Sequence, residues 1–191
     1  KNHEFSYKIQ KWMRRVNVNG NTLDPEDIAK LGKDFFPMVS KSYAFFGTPT
    51  TNAVSLSYLD RLAQSAINRA LIGWESGSDV QSLFLGKNET TQEKVDAAKK
   101  LMDSFEKVKI IIQVGNTGRQ YFHKGKWKKS KEDLKKTIEL LGETLSANSN
   151  AQVEISANNL ISNTPLQNKI DRGKILPYTE QGLKRIVSDA Y

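Results

Sequence analysis

The 191-residue sequence contains no cysteine. That removes disulfides, thiolate zinc sites, iron–sulfur clusters and a cysteine nucleophile from what this chain can build. Histidine is almost as scarce, with two residues, His3 and His123. No HExxH or similar His–carboxylate spacing occurs, which argues against a zinc hydrolase. No apolar run approaches the roughly 20 residues of a membrane span. The spacings of a P-loop, a GxSxG elbow and an EF-hand loop are also missing. The chain starts at Lys1 and shows no signal peptide, the pattern of a processed product or an excised domain.

What the chain has in excess is positive charge. Lys and Arg number 29 against 21 Asp and Glu, a formal charge of +8. Such a surplus favours an acidic partner. The 38% hydrophobic content is that of a folded globule.

The stretch Val108 to Lys129, VKIIIQVGNTGRQYFHKGKWKK, concentrates both features. Val108 to Val114 is apolar and β-branched, which predicts a buried strand. Gly115-Asn116-Thr117-Gly118 predicts a turn, and Arg119 to Trp127 a returning strand. On that strand Arg119, Tyr121 and His123 share one face, and Gln120, Phe122 and Lys124 the other. Aromatic rings among cations suit a single-stranded nucleic-acid platform. Tyr121 and Trp127 are the candidate stacking faces, with Arg119, Lys124, Lys126, Lys128 and Lys129 as phosphate contacts. The bland alternative is a hairpin whose lysines keep an edge soluble. Lys11, Arg14 and Arg15, with Lys8, form a second basic cluster.

Elsewhere the periodicity is largely helical. Phe5, Ile9, Trp12, Met13 and Val16 predict a helix ending near Arg15, although Asn19-Gly20 also allows a short strand at Val16 and Val18. Asp24 and Pro25 open a further helix with Ile28, Leu31 and Phe35 on its stripe. Pro37 breaks it, and a helical piece from Met38 to Phe46 follows. From Ser57, the stripe Leu59, Leu62, Ala63, Ala66, Ile67, Ala70, Leu71 and Trp74 predicts one long helix, ended by ESGSD. Thr90 and Glu93 spell a capping box before Val95, Ala98, Leu101, Met102 and Phe105. Ser130 is the expected cap of a helix carrying Leu134, Ile138, Leu141 and Leu145. Beyond it, Asn and Ser dominate. Gln152 to Ile155 reads as a short strand and Glu180 to Ala190 as a last helix.

The fold expected is therefore α+β and mainly helical. Five or six helices pack on one core, with a central β-hairpin at about 108–127 and a long polar C-terminal segment. Residues 1–147 form the globular domain, and 148–191 an extended arm ending in a short helix. The function expected is non-enzymatic binding of RNA or single-stranded DNA, in the manner of a self-assembling nucleocapsid or coat protein. The arm would dock on another copy of the chain. No cofactor is expected. Two alternatives stand beside this. One is a nuclease or toxin-like effector using His123, with Glu154 as base. The other is a structural protein–protein interaction module.

Overall fold

The computed structural model describes residues 16–19, 42–65, 67, 69–146, 148, 150–157 and 165–189. The expected N-terminal helices, with Lys11, Arg14 and Arg15, lie outside the described residues. The chain divides into two compact units. One holds Lys1–Gly73, Asp96–Ile110 and Asn150–Gln152; the other holds Trp74–Val95, Ile111–Ser149 and Val153–Tyr191.

The first unit is built on a sheet rather than on helices. Strand β1 (Val16–Asn19) pairs in parallel with β2 (Ser42–Phe46), and β2 with β3 (Arg69–Gly73). Strands β4 (Lys107–Val114) and β7 (Ala151–Ala157) complete the order β1-β2-β3-β4-β7. Between β2 and β3 come α1 (Thr48–Ala53) and α2 (Leu56–Ser65). Between β3 and β4 come α3 (Asp79–Phe84) and α4 (Thr91–Ser104). Helical crossovers between parallel strands define an α/β fold. The expectation of a mainly helical domain around a central hairpin is thus overturned.

The difference has a local cause in the sequence. Ala70, Leu71 and Trp74 continue the stripe of α2 by spacing, yet the helix stops at Ser65 and Arg69–Gly73 is a strand. Its apolar residues alternate, with Ala70 and Ile72 fully buried. Likewise Ser42–Phe46 is extended where a helix is expected, burying Ala44 and Phe46. These residues share a core with Leu59, Leu62, Ala98, Leu101 and Phe105. Phe46 and Phe105 meet edge to face, with ring centroids 5.5 Å apart. Asn150 closes the end of α4, its Nδ2 donating to the carbonyls of Met102 and Phe105 at 2.8 and 3.0 Å.

The second unit holds a three-stranded sheet, β6-β5-β8, formed by β5 (Gln120–His123), β6 (Lys126–Lys129) and β8 (Ile175–Leu176). Around it are α5 (Ser130–Leu145), α6 (Pro165–Asp171) and α7 (Glu180–Ser188). A hairpin does exist, but it joins β5 to β6. Its two-residue turn is Lys124-Gly125, both at positive φ (47° and 79°), the pairing that tight hairpins demand. β4 takes no part in it. The C-terminal residues expected to form a polar arm supply β7, α6, β8 and α7.

Gly118 explains how the chain leaves β4. It closes the turn by donating its N–H to the Gly115 carbonyl at 2.9 Å, at φ +61°. A Cβ there would stand 2.2 Å from the Leu176 carbonyl oxygen, so only glycine lets β5 approach β8. Gly86 has φ +83° but open space around it. Gly86→Ala should therefore cost about 1 kcal/mol of backbone strain, and Gly118→Ala upwards of about 3 kcal/mol, read from urea unfolding midpoints. Equal costs would show that the approach to Leu176 does not matter.

Candidate functional site

The segment after β3, Trp74-Glu75-Ser76-Gly77-Ser78, lies just past the carboxyl end of that strand. The segment after β4, Gly115-Asn116-Thr117-Gly118, does the same. In α/β sheets this is where ligands bind. Both segments belong to the second unit.

The first segment makes a tight turn. Trp74 donates its N–H to the Ile111 carbonyl at 2.9 Å, and the Ser76 N–H returns to the Trp74 carbonyl at 2.6 Å. Glu75, between them, is held at φ +58°. A non-glycine residue there is strained, and such strain gathers at functional positions. The Glu75 carboxylate is mostly buried and engaged on both oxygens. Lys87 Nζ donates to Oε1 at 3.1 Å, and Asn116 Nδ2 to Oε2 at 3.4 Å. Asn116 also donates to Gln113 Oε1 at 3.0 Å. A hollow of about 20 Å3 beside Glu75 is bounded by Gln81, Gln113, Ser130, Thr137 and Tyr178. It has the size of one water molecule.

What holds the turn is Lys94, a fully buried lysine on α4. Its Nζ donates to the Ser76 carbonyl at 2.8 Å and to Ser82 Oγ at 2.6 Å. Its own carbonyl accepts from Trp74 Nε1 at 3.1 Å. Burial pushes its ammonium pKa down from the ordinary lysine value. The capping box before it forms as expected. Thr90 N–H donates to Glu93 Oε2 at 2.7 Å, and Glu93 N–H to Thr90 Oγ1 at 3.2 Å. These bonds from Thr90 hold the Glu93 carboxyl below its usual range.

A second polar chain joins the turn to α5. Gly77 N–H donates to Thr137 Oγ1 at 2.7 Å, and that hydroxyl donates to the Asp133 carbonyl at 2.7 Å. Tyr121 OH donates to Asp133 Oδ2 at 2.9 Å. Ser130 does not cap α5. Its hydroxyl pairs with Thr117 Oγ1 at 2.8 Å, and Lys129 occupies the cap position without a side-chain bond.

The residues proposed as a nucleic-acid surface are dispersed in role. Tyr121 is fully buried, packed on Phe84 with centroids 4.7 Å apart, so its ring is no stacking face. Trp127 is 45% exposed and edge-on to Phe122. Lys124, Lys126, Lys128 and Lys129 are exposed on the hairpin, and Arg119 is exposed at the start of β5. His123 meets Phe84 edge to face at 6.2 Å, and its imidazole makes no hydrogen bond among the described residues. Among the described residues no cluster of three metal-ligating side chains occurs, and no helix is long and apolar enough to cross a membrane.

Glu75, Lys87, Lys94 and Asn116 are absent from the sequence-based candidates. ESGSD reads as helix punctuation. The signal was a short apolar run followed at once by a polar turn and a capped helix, the strand–turn–helix order of an α/β unit.

No protein-family model and no curated protein sequence matches this chain. Solved structures do match in fold. The archaeal Elp3 of Methanocaldococcus infernus superposes with TM-score 0.69 at 16% identity, over 96% of this chain and 47% of that one. Coproporphyrinogen III oxidase (HemN) from Escherichia coli, described as a radical SAM enzyme, gives 0.62 at 13% identity, over 92% and 38%. The cobalamin-dependent S-adenosylmethionine radical enzyme OxsB, with aqua-cobalamin and S-adenosylmethionine bound, gives 0.54 at 11% identity, over 90% and 30%. The chain spans less than half the length of each. At these identities the likeness is one of fold. The expected nucleocapsid or coat-like binder of RNA or single-stranded DNA is overturned: the chain shares its fold with these structures, HemN and OxsB being described as radical enzymes, and the supposed stacking ring of Tyr121 is interior.

Tyr121 also sets a pH response. Burial, then the Asp133 carboxylate, pushes its phenol pKa far above the ordinary 10.0. Above pH 10 the unfolded chain releases this proton while the folded chain keeps it. Stability should therefore fall with rising pH by up to about 1.4 kcal/mol per pH unit from this group. Tyr121→Phe should show a shallower alkaline slope in chemical unfolding between pH 10 and 11. An unchanged slope would remove Tyr121 as its source.

Proposed function

We propose that this chain is the ligand-holding part of an enzyme site, binding S-adenosylmethionine or a close adenosyl analogue at the Glu75 turn. The observation that carries the reading is Glu75 itself: a carboxylate fixed at positive φ just past the end of a parallel-sheet strand, clamped by Lys87 and Asn116. Support from the fold is the OxsB structure, which holds S-adenosylmethionine.

The ligand chemistry fits the groups present. S-adenosylmethionine offers an ammonium, a sulfonium and two ribose hydroxyls. A carboxylate has about four lone-pair positions, and Glu75 uses two on Lys87 and Asn116. The amides of Gln81, Gln113 and Asn116 add donors and acceptors for the carboxylate and the adenine edge. The 20 Å3 hollow is far smaller than such a ligand, so the molecule would lie across its mouth and displace the water it can hold.

Radical chemistry draws on S-adenosylmethionine and on iron–sulfur clusters among other cofactors. Clusters are held by cysteine thiolates, and this chain has none. Its residues do not fit a cluster. The chain is therefore assigned ligand holding and no electron transfer.

Equilibrium dialysis with radiolabelled S-adenosylmethionine tests the reading. Saturable binding is expected, weakened by roughly 10- to 100-fold in Glu75→Gln, the range of one lost charge-assisted hydrogen bond. Lys94→Met should weaken it too, by releasing the turn, while the exposed substitution Lys126→Ser should not. No saturable binding, or equal affinity in Glu75→Gln, would overturn it.

A further inference from the structure

We propose that the second unit carries an anion-binding cleft, distinct from the Glu75 turn, that takes a small molecule bearing a phosphate ester. The cleft measures about 300 Å3 and is bounded by Arg119, Lys129, Lys131, Arg185, Tyr178 and Asp189. Four cations thus face one carboxylate.

These cations do not share one helix face. Arg119 precedes β5, Lys129 ends β6, Lys131 lies in the first turn of α5, and Arg185 in the last turn of α7. Four elements converge on one hollow. The backbone fixes Arg119 on two sides, its N–H donating to Leu176 at 2.8 Å and its carbonyl accepting from Ser130 at 3.1 Å. Gly118 permits that position. Convergence of like charge costs repulsion, and the existing counter-charges are weak. Arg185 Nε stands 4.0 Å from Asp189, and Lys129 Nζ 3.7 Å from Glu132, both at exposed side chains. Pairs of that kind contribute little in water. Arg119 and Lys131 make no ion pair among the described residues.

A dianion relieves this repulsion. Arginine's planar fork matches two oxygens of a phosphate, and two arginines line the cleft. The volume sits at the low end for small-ligand pockets, suited to one compact group. Tyr178 adds a half-buried ring on which the organic part of an ester can rest. Tyr178 and Ile186 also bound the hollow beside Glu75. An ester held here would therefore lie against a wall of that site, in the place of a second substrate. The two sites share the wall residues Tyr178 and Ile186 and no charged group.

The test is calorimetric titration with inorganic pyrophosphate and inorganic phosphate at low ionic strength, followed by adenosine monophosphate as an ester. Arg119→Ser/Lys131→Ser is compared with Lys99→Ser/Lys107→Ser, which removes equal charge from exposed positions elsewhere. The cleft variant should lose roughly tenfold or more in pyrophosphate affinity, and the control less than about threefold. All four positions are exposed, and thermal melts of both variants should match the parent. Losses equal in the two variants, or no saturable binding up to about 10 mM, would overturn the cleft. Dialysis with S-adenosylmethionine on the same variants separates the two readings. The cleft variant should keep that binding, and Glu75→Gln should keep pyrophosphate binding.

Discussion

The ammonium of Lys94 is fully enclosed, and the candidate site depends on how it is satisfied. A buried charge is tolerated only when hydrogen-bonded. Here the partners are the Ser76 carbonyl, within the loop that follows β3, and the Ser82 hydroxyl, on the helix after it. The Lys94 carbonyl takes the Trp74 indole. One residue of α4 thus grips both the entry and the exit of the loop. Thr91 adds two bonds to Asp79 Oδ1, each 2.6 Å, and one to the Gly77 carbonyl. A loop tied at so many points has little freedom left, and the strain of the turn falls on Glu75. An over-determined surround is what lets a positive φ persist at a non-glycine residue.

The same rigidity extends toward α5. Gly77 lies against Thr137, where an added Cβ would come within 2.9 Å of the Thr137 Cα. The chain Gly77–Thr137–Asp133–Tyr121 is hydrogen-bonded throughout, and Gln81–Thr117–Ser130 runs beside it. Fully satisfied polar networks of this kind fix one arrangement of side chains rather than several. Asp133 was visible in the sequence as a polar residue three positions after Ser130. Its role was not visible, because its partner, Tyr121, comes from a strand twelve residues earlier.

What was legible in the sequence was local. The Thr90–Glu93 capping box, the stripe of α4, the apolar strand ending at Val114 and the helix starting at Glu180 all rest on neighbours within a few residues. What was lost was pairing across distance. Val108 to Val114 looks like half of a hairpin because GNTG follows it, yet Gly118 serves to bring β5 against β8. Arg69–Gly73 was hidden because its apolar residues prolong the helical stripe of α2. A five-residue strand and a helix end are indistinguishable by periodicity alone. With that strand unseen, the turn after it could not be recognised as a site. Glu75 was read as punctuation.

A surplus of positive charge suits a polymeric and a small anionic partner alike. Geometry tells them apart. A platform for a nucleic-acid strand needs several exposed rings among the cations, and of the two candidates Tyr121 is interior, which leaves the exposed Trp127 alone beside Phe122. Lys124, Lys126 and Lys128 of the hairpin stand in solvent on a short edge, where charge discourages strand addition. The cations that do converge, Arg119, Lys129, Lys131 and Arg185, meet in a hollow of about 300 Å3. That volume admits one anionic group and its organic stem. The small-anion proposal therefore rests on these four cations and not on the net charge of the chain, because converging charge recognises a ligand and dispersed charge only solvates a surface.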